Sequence, residues 1–298
     1  MGDTTQHLEA IARELEASGE FRVLRKLGSR LTVTPADGAQ TRLGLFLDVE
    51  TTGLDPSKDE IIELAMVPFT YSLDGRISEV RTPYQQLRQP TRPIPPEVTA
   101  LTGITNDMVA GHAIDPNVVT PIVSDADLIL AHNAAFDRRF AERLLPCFVT
   151  KPWACSMTQV NWSAEGFEGT KLSYLAMGAG FFYDRHRASS DCFAAIELLA
   201  ARLPKSGKPA LANLLERARA PSWRIWADGS PFEMKGVLKA RGYRWSGDNP
   251  PRPRTWYIDV DDETKDTELS YLSADIYGRT IELPVQRVTA LERFSDRT

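Results

Sequence analysis

Residues 43–53 have the sequence LGLFLDVETTG, an apolar run that ends in two acidic residues and a Thr-Thr-Gly turn. A run of this kind predicts a buried central strand. Alternate side chains of a strand point to the same face, so we expect Asp48 and Glu50 to project together where the strand ends. Unpaired carboxylates beside a core are costly unless they share a cation, and hard cations prefer oxygen ligands. Taken alone, the pair indicates either a metal site or an acidic pair that caps the following turn.

The composition is that of an ordinary soluble globular protein, with 42% hydrophobic and 25% charged residues in a chain of 298. The formal net charge of −5 gives no overall basic character that would point to a polyanionic partner, although a metal site would add positive charge that this count misses. The three cysteines form no CxxC pair, which fits a reducing compartment. We find no signal-peptide pattern and no apolar run of about 18 residues. The sequence therefore predicts a cytoplasmic protein without a membrane partner.

The order of predicted elements indicates the fold class. A helix is predicted over about residues 5–27 with a break at Ser18-Gly19, followed by strands over 43–49 and 61–70 and a hairpin strand over 76–82. Further along, a strand at 128–131 alternates with helices. Strands in hairpins followed by strands that alternate with helices predict an α/β fold with a mixed sheet flanked by helices.

The chain is predicted to have three parts. Residues 1–40 form an N-terminal helical extension, residues 41–219 the main α/β domain, and residues 220–298 a small, basic, Trp-rich α+β C-terminal domain. The stretch PKSGKP at 204–209 is typical of a linker.

The C-terminal part combines positive charge with aromatic residues. Between residues 217 and 254 there are nine Lys and Arg against three Asp and Glu. Four of the six tryptophans lie in the C-terminal part, at positions 223, 226, 245 and 256. Cationic surfaces with aromatic platforms suit single-stranded nucleic acid. The alternative is that the tryptophans form the core of a small domain and the arginines solvate it; a mixture of the two is also consistent with the sequence.

Two further polar clusters follow predicted strands or precede predicted helices. Residues 132–137 are HNAAFD and residues 186–191 are HRASSD. Each has an ordinary structural explanation, because an acid is favoured in the first turn of a helix and Ser or Asp is favoured at an N-cap. Considered separately, neither cluster indicates a function.

Considered together, the three clusters resemble the motifs of the DEDDh family of 3′→5′ exonucleases. The matching segments are DVETTG at 48–53, HNAAFD at 132–137 and His-x-Ala-x-x-Asp at 186–191. The resemblance extends through residues 93–105 and covers roughly residues 40–204. It implies that residues 41–219 form an exonuclease domain with a ribonuclease H-like mixed β-sheet flanked by helices.

The resemblance also implies the chemistry. Asp48, Glu50, Asp137 and Asp191 would hold two Mg²⁺ or Mn²⁺ ions per active site, since two ions about 4 Å apart can hold the attacking and leaving oxygens of a phosphodiester. His186 would be the general base, a role that suits the near-neutral pKa of histidine.

By the same resemblance, a turn after the first strand and one asparagine would bind the substrate. The predicted substrate-binding residues are Thr51, Thr52, Gly53, Leu54 and Asn133. Two of them have alternatives, because Leu54 could be a core anchor and Asn133 could tie the loop together.

The predicted function is hydrolysis of DNA from its 3′ end, in DNA replication or repair, with DNA favoured over RNA as the partner. One alternative is an RNA-directed 3′→5′ exonuclease that trims RNA. Another, from a different class, is a proofreading or accessory subunit whose main task is to bind a DNA polymerase or a repair complex. The undamaged motifs argue against a role in binding alone.

Overall fold

A computed structural model describes residues 2–28, 33–34, 37–185, 187–247 and 254–297. The chain divides into two compact units, residues 1–215 and residues 216–298. Within the described residues, no helix combines the length and apolar character needed to cross a membrane.

The helices are α1 (Gly2–Ala17), α2 (Pro96–Thr102), α3 (Asn106–Val109), α4 (Pro116–Asp125), α5 (Ala134–Leu144), α6 (Leu172–Gly178), α7 (Ala188–Ala200), α8 (Ala210–Arg219), α9 (Lys235–Ala240) and α10 (Lys265–Tyr271). The strands are β1 (Arg25–Lys26), β2 (Thr41–Thr51), β3 (Ile61–Ser72), β4 (Ile77–Val80), β5 (Tyr84–Leu87), β6 (Leu128–Ala131), β7 (Trp153–Cys155), β8 (Phe181–Phe182), β9 (Ser222–Ala227), β10 (Arg244–Trp245), β11 (Trp256–Val260) and β12 (Val285–Val288).

The first unit is built on a six-stranded mixed sheet. Strand β2 is central: it pairs antiparallel with β3 and parallel with β6, and β7 pairs parallel with β6. Strands β4 and β5 both pair antiparallel with β3. Helix α7 packs on β2 and β3, and α5 packs on β2, β6 and β7. The predicted mixed sheet flanked by helices is confirmed.

The apolar run of β2 is explained by its central position. Leu45, Phe46 and Leu47 are all buried although they point alternately to the two faces of the sheet. A strand covered on both faces requires apolar residues at consecutive positions. The run ends where Asp48 begins, so the change to acidic residues marks the carboxyl end of β2.

The N-terminal segment differs from its prediction. Helix α1 ends at Ala17, and Gly19 has a φ of 77°, a left-handed conformation that terminates helices. The prediction of a helix is therefore wrong for residues 20–27. Instead, β1 pairs parallel with β8, a partner more than 150 residues away that the local pattern could not reveal.

The second unit contains a four-stranded antiparallel sheet in the order β10-β11-β9-β12. Its core is a cluster of apolar side chains from the sheet, the helical segments and the loops between them: Ile225, Ala227, Leu238, Tyr243, Leu272, Ile276 and Leu283. The tryptophans divide between packing and exposure, since Trp256 packs against this core and Trp226 is buried beside Tyr257, whereas Trp245 is 49% exposed. The unit as a whole has fourteen Lys and Arg and fourteen Asp and Glu, so its basic stretch is balanced by an acidic one.

Candidate active site

Three carboxylates meet where β2 ends and α7 begins. Asp48 and Glu50 project from the same face of β2, and Asp191 lies in the first turn of α7. One oxygen from each of the three side chains lies within 4.8 Å of the other two, and all three residues are half-buried. The structure therefore brings together residues that are more than 140 positions apart in the chain.

Asp137, on helix α5, is hydrogen-bonded to the same strand, β2. It lies in the first turn of α5, is buried, and its Oδ1 accepts a hydrogen bond of 3.3 Å from the backbone N–H of Val49. This bond fixes the carboxylate beside the residue that separates Asp48 from Glu50. The charge of Asp137 accordingly acts on Asp48.

The surroundings of the cluster disfavour the ionised form of its own carboxyl groups. Burial and the charges of Asp137, Asp191 and Glu50 raise the pKa of Asp48 well above its usual range. Burial, Asp191 and Glu63 together raise the pKa of Glu50 to about 8. Burial also raises the pKa of Asp137, although backbone hydrogen bonds partly oppose it. Acids arranged in this way favour either protons or cations.

A divalent cation fits the donor set. Each of the four side chains offers only carboxylate oxygens, which Mg²⁺ and Mn²⁺ prefer, and the group lacks the thiolates that would favour zinc. The cation would also relieve the repulsion that raises the pKa values of these acids. Asp48, Glu50, Asp137 and Asp191 are thus the residues that could hold it.

Two residues beside the cluster were not anticipated. Glu63 on β3 lies directly opposite Glu50 in the strand pairing and is fully buried. The hydroxyl of Tyr183 donates a hydrogen bond of 2.8 Å to Asp191 Oδ1. Glu63 had a signal in the sequence, since it is the one charge in the apolar stretch Ile61–Phe69. Tyr183 had none.

The turn after β2 is held by an internal network. Thr51 is buried and its hydroxyl donates to the carbonyl of Gly53 at 2.6 Å, and the backbone N–H of Glu60 donates to the Thr52 hydroxyl at 2.9 Å. A Cβ on Gly53 would lie 2.5 Å from a carboxylate oxygen of Asp59, so a larger residue there would displace the carboxylate that accepts a hydrogen bond from the Asp55 N–H.

Leu54 is 84% exposed. This exposure excludes the alternative that it anchors the core, and it places an apolar side chain in solvent at the rim of the turn.

The second motif has one strained residue and one structural residue. Asn133 is exposed and has a φ of 84°, a left-handed conformation that asparagine tolerates better than most residues. Residues held in such conformations cluster at functional sites. His132 is instead bound on both ring nitrogens, by the Ser156 hydroxyl and the Thr170 carbonyl at 2.8 Å each, and burial lowers its pKa to about 4.

His186 lies outside the described residues. The residues that follow it are described: Arg187 immediately precedes α7, and Ala188 is its first residue. The chain position of His186 is therefore five residues before Asp191, in the segment that enters α7.

Comparison with known proteins agrees with this site. Residues 45–199, half of the chain, match the family described as Exonuclease (RNase T). The chain is 40% identical to a PolC-type DNA polymerase III of Thermotoga petrophila over 98 residues, which are 32% of this chain and 7% of that protein. It is 30% identical to the DNA polymerase III subunit epsilon of Treponema pallidum over 174 residues, covering 54% of this chain and 76% of that one. It is also 30% identical to exodeoxyribonuclease 10 of Escherichia coli over 169 residues, covering 54% and 69%.

The chain thus spans a small fraction of the large polymerases and most of the two shorter proteins. The family match contains all of α5 and most of β2 and α7, which are the elements that carry the four acids, together with β3 and β6. The second unit lies outside the match. The predicted resemblance to DEDDh exonucleases is confirmed, and the chain belongs to the RNase T exonuclease family, with a DnaQ-like exonuclease domain in its first unit.

Proposed function

We propose that this protein is a metal-dependent 3′→5′ exonuclease that hydrolyses DNA. The observation that carries the proposal is the convergence of carboxylate oxygens from Asp48, Glu50 and Asp191 within 4.8 Å of one another. Asp137 adds a fourth acid through its bond to the Val49 amide. A phosphodiester is an anion, so four acids can serve its hydrolysis only when cations accompany them.

The four acids are assigned as ligands of two Mg²⁺ or Mn²⁺ ions. When bound, the ions would hold the attacking and leaving oxygens and neutralise the charge that develops on the phosphate. Carried over from the motifs, Asp48 would serve both ions, Glu50 and Asp191 would hold the ion that activates the attacking water, and Asp137 would hold the other ion. The fixed positions of β2, α5 and α7 keep these side chains in place before the substrate arrives.

His186 is assigned as the general base from its place in the third motif. An imidazole with an ordinary pKa can accept a proton from the attacking water near neutral pH. Its position in the chain, just ahead of α7 and five residues before Asp191, supports the assignment.

The terminal nucleotide is assigned to the turn after β2 and to Asn133. The exposed side chain of Leu54 could contact the last base, and the backbone of Thr51, Thr52 and Gly53 could contact the 3′-terminal hydroxyl or phosphate. The side chain of Thr51 is buried and bonded to Gly53, which leaves its backbone as the contacting group.

DNA is proposed as the substrate because the similar proteins from Treponema pallidum and Escherichia coli are named as a DNA polymerase III subunit and an exodeoxyribonuclease. The first of these also supports a proposed association with a DNA polymerase. That association predicts co-purification with a polymerase, whereas independent action predicts activity in the isolated protein.

The test uses end-labelled single- and double-stranded DNA and RNA with Mg²⁺, Mn²⁺ or EDTA. We expect 5′-labelled DNA to shorten as a ladder and 3′-labelled DNA to release the labelled mononucleotide at once, in metal only. Preferential cleavage of RNA would replace DNA with the RNA-trimming alternative. Absence of any metal-dependent cleavage by a protein that co-purifies with a polymerase would favour the accessory role.

The matched control for an active-site substitution is Asp125→Asn. Asp125 is exposed and lies at the end of α4, before the amino end of β6, whereas the cluster lies at the carboxyl end of the neighbouring parallel strand. The Asp125→Asn variant should keep full activity, whereas the Asp48→Asn variant should be inactive.

A further inference from the structure

Glu63 is a buried acid beside the cluster that differs from its neighbours in having a full set of partners. Its Oε1 accepts a hydrogen bond of 2.6 Å from Gln85 Nε2 and one of 3.1 Å from Arg187 Nη2, and its Oε2 accepts one of 3.1 Å from the Ala188 backbone N–H. Three donors satisfy a carboxylate that burial would otherwise make costly. Glu63 thus connects β3 to the first residue of α7.

This connection reaches the part of the chain that carries two of the three residues of the third motif. Ala188 begins α7, Arg187 precedes it, and Asp191 lies one turn further on. Strands β2 and β3 are paired so that Glu63 lies opposite Glu50, a residue of the first motif. Glu63 therefore fixes the two motifs relative to each other.

The other end of the ion pair is open to solvent. Arg187 keeps 43% of its side chain exposed, whereas Glu63 is fully buried. Among the described residues, the buried Nε of Arg187 has no hydrogen-bond partner, so this donor is not used by the fold.

Arg187 also brings positive charge to an acidic place. Its charge partly opposes the rise that burial, Asp191 and Glu63 cause in the pKa of Glu50. A phosphodiester that approaches five carboxylates is repelled by them, and a guanidinium offers the paired N–H groups that match phosphate oxygens. A guanidinium that is already held in place loses little further entropy on binding.

We propose that Arg187 binds a non-bridging phosphate oxygen of the nucleic-acid backbone at the carboxylate cluster, and that Glu63 is the positioning residue that aims it. The inference rests on the proposed exonuclease function and names a contact that the four acids and His186 do not provide. The ligand class is a phosphodiester with a deoxyribose or ribose backbone, since the contact is to phosphate alone.

The test measures both turnover and phosphate contacts. Turnover is followed on a 5′-labelled single-stranded DNA oligonucleotide in Mg²⁺. Binding is followed by fluorescence anisotropy over a series of KCl concentrations, with every protein carrying Asp48→Asn to prevent cleavage. The variants are Arg187→Gln, Arg187→Lys, Glu63→Gln and the double variant Glu63→Gln/Arg187→Gln.

Arg81→Gln is the matched control. Arg81 has a similar exposure of 49% and an ion pair of the same 3.1 Å length, with Glu79, but it follows β4, which pairs with the end of β3 far from Glu63. It should change neither turnover nor the salt dependence of binding.

We expect Arg187→Gln to lower kcat/KM roughly 30-fold, the effect of a lost hydrogen bond to a charged group. Its plot of log binding constant against log salt should be shallower by about 0.7, the value for one lost phosphate contact on a single strand. Arg187→Lys should retain the slope and lose roughly fivefold in kcat/KM, since it keeps the charge without the fork. Glu63→Gln should lose about tenfold, and the double variant should be no worse than Arg187→Gln alone, because the two residues act as a unit.

The outcomes separate the inference from the proposed function. An inactive wild-type protein overturns both. An active wild type with an unchanged salt slope in Arg187→Gln overturns the phosphate contact alone, because a merely structural role would lower thermal stability without altering the slope. Additive losses in the double variant overturn the positioning role of Glu63.

Discussion

The acids at the end of β2 and the acids of the second unit have opposite surroundings. In the first unit, Asp48 and Glu50 lie close to Asp191, and their nearest charged neighbours are mostly other acids. In the second unit, Glu268 is buried and accepts hydrogen bonds from Arg241 at 2.8–3.1 Å and from the Tyr243 hydroxyl at 2.7 Å. The second arrangement satisfies the carboxylate within the fold.

The contrast separates acids that stabilise the fold from acids reserved for a ligand. Neutralising a paired acid, such as Glu268 with Arg241 or Asp259 with Arg224, should lower the stability of the fold, because its donors lose a charged acceptor. Neutralising an acid that its neighbours repel should instead raise the stability of the protein and lower its activity. Glu63 shows that both kinds occur side by side, since it has three donors, whereas the part of the chain that the structure describes offers the facing Glu50 side chain no hydrogen-bond donor.

The largest expected effect is the loss of turnover when an acid of the cluster is substituted. Asp48→Asn should lower the rate of DNA cleavage at least about 1,000-fold, which corresponds to about 4 kcal/mol of transition-state stabilisation. The thermal midpoint without metal should stay the same or rise, because one of the repelling charges is removed. Rate assays and calorimetry on the same preparation test both parts, with Asp125→Asn as the control. Cleavage that persists in Asp48→Asn would exclude this acid as a metal ligand.

The next effect is on stability as a function of pH and metal. The pKa of Glu50 is about 8 in the folded protein against 4.5 for an ordinary glutamate. Between these values the folded state binds more protons than the unfolded state, so without metal the free energy of unfolding should fall as the pH rises from about 5 to 8. Mg²⁺ at 100 times its dissociation constant should restore about 2.7 kcal/mol at pH 8, and less at pH 5, where protons occupy the site.

Calorimetry in EDTA and in Mg²⁺ at both pH values measures this effect. Glu50→Gln is the comparison, since it should flatten the pH dependence and weaken the response to Mg²⁺. Two results would contradict the role of Glu50 as a metal ligand with a raised pKa. One is a free energy of unfolding that rises with pH in EDTA, and the other is a wild-type protein that Mg²⁺ does not stabilise.

A smaller effect is expected in the second unit. Glu268→Gln should lower the free energy of unfolding of this unit by about 1–2 kcal/mol, because Arg241 and the buried Tyr243 hydroxyl lose a charged acceptor. Urea unfolding followed by tryptophan fluorescence measures it. Asp266→Asn on the same helix is the control, since its side chain is 88% exposed. Cleavage of DNA should be unchanged in both variants, and a loss of turnover in Glu268→Gln alone would break the distinction between the two regions.

The sequence could point to the acids that the structure brings together because each acid lies in a short motif of the chain. The spacing of Asp48 and Glu50 determines which face of β2 they share, and the three motifs identified Asp137 and Asp191. The parts that it missed depend on contacts between distant segments. Glu63 meets Arg187 across 124 positions, and β1 pairs with β8 across more than 150, and neither pairing leaves a periodic pattern.

The second unit shows the same limit. The aromatic and basic stretch predicted either a core or a binding surface, and the structure divides the tryptophans between a core, where Trp256 packs, and the surface, where Trp245 lies. Its arginines are also largely committed to neighbours, as the pairs of Arg224 and Arg244 with Asp259 show. Which side chains of a small domain are buried depends on its strand pairing, which composition does not determine.

The smallest expected effect concerns the hydroxyl of Tyr183, which donates a hydrogen bond to one acid of the cluster. It lies 2.8 Å from Asp191 Oδ1, and burial and the charge of Asp191 raise the pKa of this tyrosine, so the hydroxyl stays protonated at working pH. Tyr183→Phe should lower kcat about fivefold, or about 1 kcal/mol, because Asp191 loses the bond that orients one oxygen. KM and the thermal midpoint should change little, since one phenolic oxygen is removed without loss of packing. Tyr174→Phe, at an exposed tyrosine of the same unit, is the control. An unchanged kcat in Tyr183→Phe would show that this hydrogen bond does not orient Asp191 for turnover.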